Sequence, residues 1–183
     1  MRTRLIDMGL CAGLLLSSGV ALADPAPAKA PETQNDKADQ QFLEAALGVN
    51  ELELQLGQLA AQRASTPEVK AMGQTMVEKH TELGQQLAEL FRQAGGSRKV
   101  ELSSDQRATY KRVASQSGTA FDTVFKEVVD AGHVNELAMY QDEVNHAKSP
   151  ALRELAQRRA AKLRETVAQA EAKKTKQAPK QDW

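Results

Sequence analysis

The chain has 183 residues, with 24 lysines and arginines balancing 24 aspartates and glutamates, and 4% aromatic residues. That balance excludes the broad electropositive footprint of a nucleic-acid binder, so no nucleic-acid partner is expected. A single cysteine excludes an internal disulfide, and a core built from Leu, Val, Ala and Met suits packed helices better than sheets.

Residues 1–23 read as a signal peptide. Arg2 and Arg4 form a short basic start, Met8 to Leu22 is an apolar run, and Ala21-Leu22-Ala23 is an A-x-A cleavage site before Asp24. The run is too short to span a membrane comfortably, since a span needs about 20 apolar residues. Cys11 sits near the start of the run rather than at its end, where a lipid-carrying cysteine would stand. The mature chain then carries no thiol, which removes thiolate metal sites and cysteine nucleophiles. Loss of Arg2, Arg4 and Asp7 leaves it one negative charge from neutral.

Residues 24–38, "DPAPAKAPETQNDKA", are expected to be a disordered linker, with too few apolar groups to offset ordering entropy. A helical domain is expected over 39–172. Its first helix is predicted from about Asp36 to Ala64, with Phe42, Ala46, Val49, Glu53, Leu56 and Ala60 on one face. "STPE" starts the second helix: Thr66 caps, Pro67 fits the first turn and Glu68 complements the dipole. This helix is predicted to run to about Ala94, with Val69, Met72, Met76, His80, Leu83, Leu87 and Leu90 inward and Gly95-Gly96 as its stop.

A short helix opened by Ser103 or Ser104 is expected to reach about Ser117. The third long helix is predicted over about Ala120 to Ala147, with Phe121, Phe125, Val129, His133, Glu136, Tyr140 and Val144 inward. Asp122, at its start, could cap this helix or pair with a base. "SPAL" repeats the start signal, and the fourth long helix is predicted to reach about Lys174, with Leu152, Leu155, Arg159, Leu163, Val167 and Ala170 inward. Residues 173–183 read as a polar flexible tail. Lys173, Lys174 and Lys176 there are expected to be solvated, with contact to an anionic surface as the alternative. The fold class is therefore all-α: a four-helix bundle with a short extra helix in the long connection between helices two and three. Each half has a helix, a Ser/Thr-Pro connection and a second helix, with no residue-level repeat seen beyond that layout.

Glu53, His80, His133, Glu136 and Arg159 interrupt the apolar faces. Buried ionised groups are costly unless paired or bound to a metal, so these are expected to meet. Two readings compete. One is a hydrogen-bonded structural cluster. The other is a mixed N/O site in which Glu53, His80, His133 and Glu136 hold one divalent zinc, iron or manganese ion. A complete di-metal bundle site needs Glu-x-x-His on two helices, and the chain lacks it. Val77 precedes His80 by three, and Asp130, with shorter reach, precedes His133. The one literal match, Glu143 to His146, lies at a helix end, where a histidine is favourable for dipole reasons alone. Met72, Met76 and Met139 read as core filler rather than copper ligands. No nucleophile elbow, phosphate loop, dinucleotide fingerprint or H-E-x-x-H is present, so no catalytic or cofactor-binding residue is assigned.

A further set of features runs from Phe42: Glu53 four residues before Gly57, Leu59-Ala60, the helix start from Ser65 to Lys70, and "MVEKH" ending at His80. "FDTVF" from Phe121 to Phe125, His133 eight residues later, and "LRET" from Leu163 to Thr166 complete it. In these features the chain resembles the bacterial family designated domain of unknown function 4142. The resemblance implies a ferritin-like bundle and export, and relatives are often labelled outer-membrane or membrane proteins. It implies histidines on three helices. Here Thr166 replaces the third, and Gly132 stands where relatives usually carry Asp before the second. The functional expectation is an exported, periplasmic bundle with a non-catalytic binding or structural role in the envelope, linked to stress. Its partner would be an envelope protein or surface, with peripheral outer-membrane association as a further possibility. The alternative is a metal-binding or metal-dependent redox protein using the degenerate His/Glu site.

Overall fold

The computed structural model describes residues 34–97 and 99–177. The expected signal peptide at 1–23, most of the expected linker and residues 178–183 lie outside the described residues. Five helices follow one another: α1 (Gln34–Arg63), α2 (Pro67–Gln93), α3 (Ser104–Ala114), α4 (Gly118–His146) and α5 (Pro150–Gln177). No strand occurs among the described residues. No helix among them is long and apolar enough to cross a membrane.

The molecule is a four-helix bundle made of two αα-hairpins, α1–α2 and α4–α5, with α3 in the connection between them. The caps form as their residue types dictate. Thr66 accepts from the Val69 amide at the start of α2, and Ser103 with Gln106 makes a reciprocal capping box on α3. Gly95 ends the α2 segment with a φ of 86°, a left-handed conformation that glycine adopts without strain.

Two boundaries differ from expectation. α1 begins at Gln34, inside the segment expected as linker, and α5 continues to Gln177, into the expected tail. After Pro31 nothing breaks a helix, and Asp39 ties this end down by accepting from the Lys148 and Ser149 amides at 3.0 and 2.7 Å. At the other end Lys174 pairs with Asp130 on α4 at 2.9 Å.

Asp122 neither caps α4 nor pairs with a base. Its carboxylate accepts four hydrogen bonds from the amides and hydroxyls of Ser65 and Thr66, at 2.8–2.9 Å. Asp39 does the same office for the other turn. The opening aspartate of each hairpin therefore closes the turn of its neighbour. This reveals a repeat that composition hides. Asp39, Phe42, Asn50, Glu53, Thr66 and Pro67 recur, at the same spacing, as Asp122, Phe125, His133, Glu136, Ser149 and Pro150.

The apolar core is in two parts. One contains Leu43, Ala46, Leu87, Phe91, Tyr140 and Leu152; the other contains Leu56, Ala60, Val69, Met76, Phe121, Phe125 and Val129. Along α1, α2 and α4 the change from one part to the other falls at Asn50–Glu53, His80 and His133–Glu136. A polar layer thus crosses the middle of the bundle. On α1 Leu43 and Asn50 are buried, whereas Phe42 and Val49 are only half-buried. On α2 Gly73 is buried, and on α5 so are Ala156 and Ala160, because close helix contact selects small residues that a periodicity of large apolar groups overlooks; Phe91, next to the expected Leu90, is buried as well.

Candidate metal centre in the polar layer

Four helices supply the layer: Asn50 and Glu53 from α1, His80 from α2, His133 and Glu136 from α4, and Arg159 from α5. The close approach of α1 and α2 at Gly57 and Gly73 sets His80 beside Glu53. A methyl group on Gly73 would lie 2.6 Å from the Ala61 nitrogen and 2.7 Å from the Gly57 carbonyl oxygen. The repeat places Glu53 and Glu136 at matching positions of their hairpins, with carboxylate oxygens within 4.8 Å of each other.

His80 is 3% exposed and held by Asn50. Asn50 Nδ2 donates to the His80 carbonyl at 2.9 Å, which leaves Oδ1 facing His80 Nδ1 at 3.0 Å. Nδ1 therefore carries the proton. Glu53 Oε2 lies 3.3 Å from the same nitrogen, but the N–H is directed at Asn50. Burial and then the Arg159 charge hold His80 neutral with a pKa of about 3.

Glu136 is 3% exposed and is gripped by Arg159. Arg159 Nε donates to Oε1 at 2.9 Å and Nη2 to Oε2 at 2.8 Å, the bidentate fork that suits a planar guanidinium. Glu53 is treated differently. It is 4% exposed, yet neither oxygen accepts a hydrogen bond from the protein. Its neighbours stand at the edge of reach: His133 Nε2 and Arg159 Nη2, each at 3.9 Å. Burial and the Glu136 charge push the Glu53 carboxyl well up, against the opposing pull of Arg159. Burial also raises Glu136, opposed by Arg159.

His133 lies at the edge of the layer, its side chain 13% exposed. It lines a groove of about 390 Å³ together with Met72, Asp130, Thr166 and Lys174. Burial, followed by the Arg159 charge, lowers its pKa to about 4, so its imidazole is neutral at physiological pH. A neutral imidazole has a lone pair for a metal.

Glu53, His133 and Glu136 each offer a ligand atom, and these atoms all lie within 4.8 Å of one another. His80 is not a member of that trio, and the nitrogen it brings within 3.3 Å of Glu53, Nδ1, is the one bonded to Asn50. Asp130 is drawn off to Lys174. Glu143 and His146 share no site: Glu143 is buried, and His146 is exposed with Nδ1 on the Asp142 carbonyl at 2.9 Å. Thr166, on the same groove as His133, returns its hydroxyl to Lys162 of its own helix. Sequence reasoning missed Asn50, which occupies the repeat position of His133. Aligning the two hairpins on their Ser/Thr-Pro turns would have found it.

The donor set fits a divalent cation. Two carboxylates and one imidazole are oxygen and borderline nitrogen donors of the kind that first-row divalent ions take. With one guanidinium for two carboxylates, ionising both would leave one negative charge without a partner in a buried layer, which is why the Glu53 carboxyl is pushed up. That imbalance is what a cation would relieve.

The family described as Domain of unknown function (DUF4142) matches residues 24–172. No curated protein sequence matches the chain. Among solved structures, CopM in a silver-bound form, obtained by co-crystallization, superposes with a TM-score of 0.61 at 17% identity, covering 77% of this chain and 98% of that one. CopM in its Cu(II)-bound form gives a TM-score of 0.58 at 15% identity, covering 73% and 93%. At these identities the likeness is one of fold, and it is a helical bundle in both.

Proposed function

The chain belongs to this family of unassigned activity, and from that premise we propose that it is a metal-binding bundle of the cell envelope, holding one divalent cation between Glu53, His133 and Glu136. The observation that carries the reading is Glu53. A buried carboxylate with two unpartnered oxygens is costly, and here it faces a neutral imidazole and a second carboxylate. The bound ion would supply positive charge that keeps both carboxylates ionised and ties α1 to α4. The silver- and copper-bound forms of CopM support metal binding as a use of this fold. The donors here are oxygen-rich, which favours zinc, manganese, iron or copper(II) over silver. No residue of the layer is assigned a catalytic task.

Export to the periplasm rests on the reading of residues 1–23. N-terminal sequencing of protein recovered from the periplasm tests it, with Asp24 as the expected first residue.

The metal reading is tested on untagged protein by elemental analysis and by calorimetric titration with Mn²⁺ and Zn²⁺. About one equivalent is expected, lost in Glu53→Gln. Trace metal that Glu53→Gln leaves unchanged would end it. A second reading draws on the Arg159–Glu136 fork, which closes the bundle with the protein's own charges. On that reading the layer is structural and the protein serves as a non-catalytic binding or scaffold component of the envelope. A pull-down from envelope extract that enriches a partner, with no metal bound, would favour it.

A further inference from the structure

We propose that Arg159 is a displaceable counter-cation: its guanidinium occupies Glu136 in the metal-free protein, and metal binding is an exchange of guanidinium for metal. The proposal rests on the metal-binding reading above and says how that site is controlled.

The geometry is the argument. Arg159 engages both oxygens of Glu136, through Nε at 2.9 Å and Nη2 at 2.8 Å. A carboxylate held by a fork keeps only its outer lone pairs for another ligand. Nη2 also lies 3.9 Å from Glu53 Oε2, so the same positive charge stands within reach of both carboxylates. A cation seated among Glu53, His133 and Glu136 would meet a like charge a few ångströms away. In a partly buried site that repulsion is large. The two cations are therefore alternatives.

The protein also provides for the exchange. Arg159 is the least buried charged member of the layer, with a side chain 15% exposed, whereas Glu53 and Glu136 are at 5% and 2%. Among the described residues its hydrogen bonds go to Glu136, so one carboxylate holds it in place. A cation has its own way in, because His133 borders both the layer and the groove. The imidazole can take the ion first, before Glu136 is released. The chain's balance of charges in the layer changes by one unit in this exchange: the guanidinium leaves and a divalent ion enters.

The test compares wild type with Arg159→Gln, in calorimetric titrations with Mn²⁺ alone and Zn²⁺ alone. The variant is expected to bind at least about tenfold more tightly, the scale on which a neighbouring unit charge acts. Arg159→Lys keeps the charge without the fork and is expected to fall between the two. It also serves as the readout if Arg159→Gln fails to fold by circular dichroism. In Arg159→Ala, added methylguanidinium is expected to refill the position, weakening metal binding and raising the melting temperature of the metal-free protein. Equal or weaker binding in the folded variants, with measurable binding in wild type, overturns the exchange and leaves the metal site standing. No binding in any of the proteins overturns both.

Discussion

Asn50 and His80 lock each other across α1 and α2: the amide nitrogen of Asn50 donates to the His80 carbonyl at 2.9 Å, and its oxygen receives Nδ1 at 3.0 Å. This pair fixes the orientation of the His80 ring and its tautomer. Asn50→Ala removes the acceptor of the buried Nδ1–H and the second donor to the His80 carbonyl. Chemical denaturation should show a loss of about 1–3 kcal/mol. In wild type the His80 ring protons should not shift between about pH 5 and pH 8 by NMR, since its pKa is about 3. A midpoint near 6.5 would show that Asn50 does not hold the ring in its buried, neutral form.

Asp122 and Asp39 each fasten the turn of the opposite hairpin. Burial pushes the Asp122 carboxyl up, but the amides and hydroxyls of Ser65 and Thr66 outweigh it and hold it below its ordinary value. A carboxylate lowered in the folded state stabilises above its unfolded pKa, and that contribution disappears as pH falls through the folded pKa. Asp122→Ala is expected to cost about 2 kcal/mol at neutral pH and progressively less in acid. Asp39→Ala should cost a similar amount. A neutral-pH loss near zero for both would mean the turns hold without them.

Two buried or half-buried glycines should respond oppositely to alanine. At Gly73 a methyl would press on backbone atoms at 2.6 and 2.7 Å. The α1–α2 contact must open, at a cost of about 1–3 kcal/mol. At Gly132 the nearest atom is Glu53 Oε1 at 3.8 Å, an ordinary contact. Alanine there restores helix propensity and should stabilise by about 0.5–1 kcal/mol. Thermal melts of the two variants, moving in opposite directions, are the check. A shift in the same direction would contradict this packing.

Glu143 lies at one end of the bundle, 7% exposed, and its pKa is raised from 4.5 to about 7 by burial and then by the Asp39 charge. The folded state holds this proton longer than the unfolded chain. Stability from this group is therefore full below 4.5 and lost as pH rises through about 7. Allowing for nearby solvent, the loss should be of order 1–2 kcal/mol. Urea midpoints across this range should fall in wild type and fall less in Glu143→Gln. Parallel curves would rule Glu143 out as the cause.

Much of the fold was legible because helices announce themselves locally. Thr66-Pro67 and Ser149-Pro150 carry capping chemistry within a few residues, and the 3.6-residue rhythm of Val69, Met76, Leu87 and Phe121, Phe125, Val129 marks the buried faces. The site was partly legible for the same reason, since Glu53, His80, His133 and Glu136 are polar groups on apolar stripes. What local pattern could not show was pairing. His80 looks as available as His133 until Asn50 is seen across the hairpin, and Asp122 looks like a helix cap until Ser65 and Thr66 are seen above it.

The sequence by itself determined the all-α class, the hairpin turns and the charged and imidazole residues of the polar layer, though not Asn50. These follow from backbone capping and from the burial of one helix face, both short-range along the chain. The tertiary structure alone decided which polar group partners which. Arg159 went to Glu136, Asn50 took His80, and Glu53 was left with His133 and no donor. The reason is physical: a hydrogen bond depends on distances of a few tenths of an ångström between side chains on different helices. Those distances are set by how closely α1 and α2 meet at Gly57 and Gly73 and by the register of one hairpin against the other.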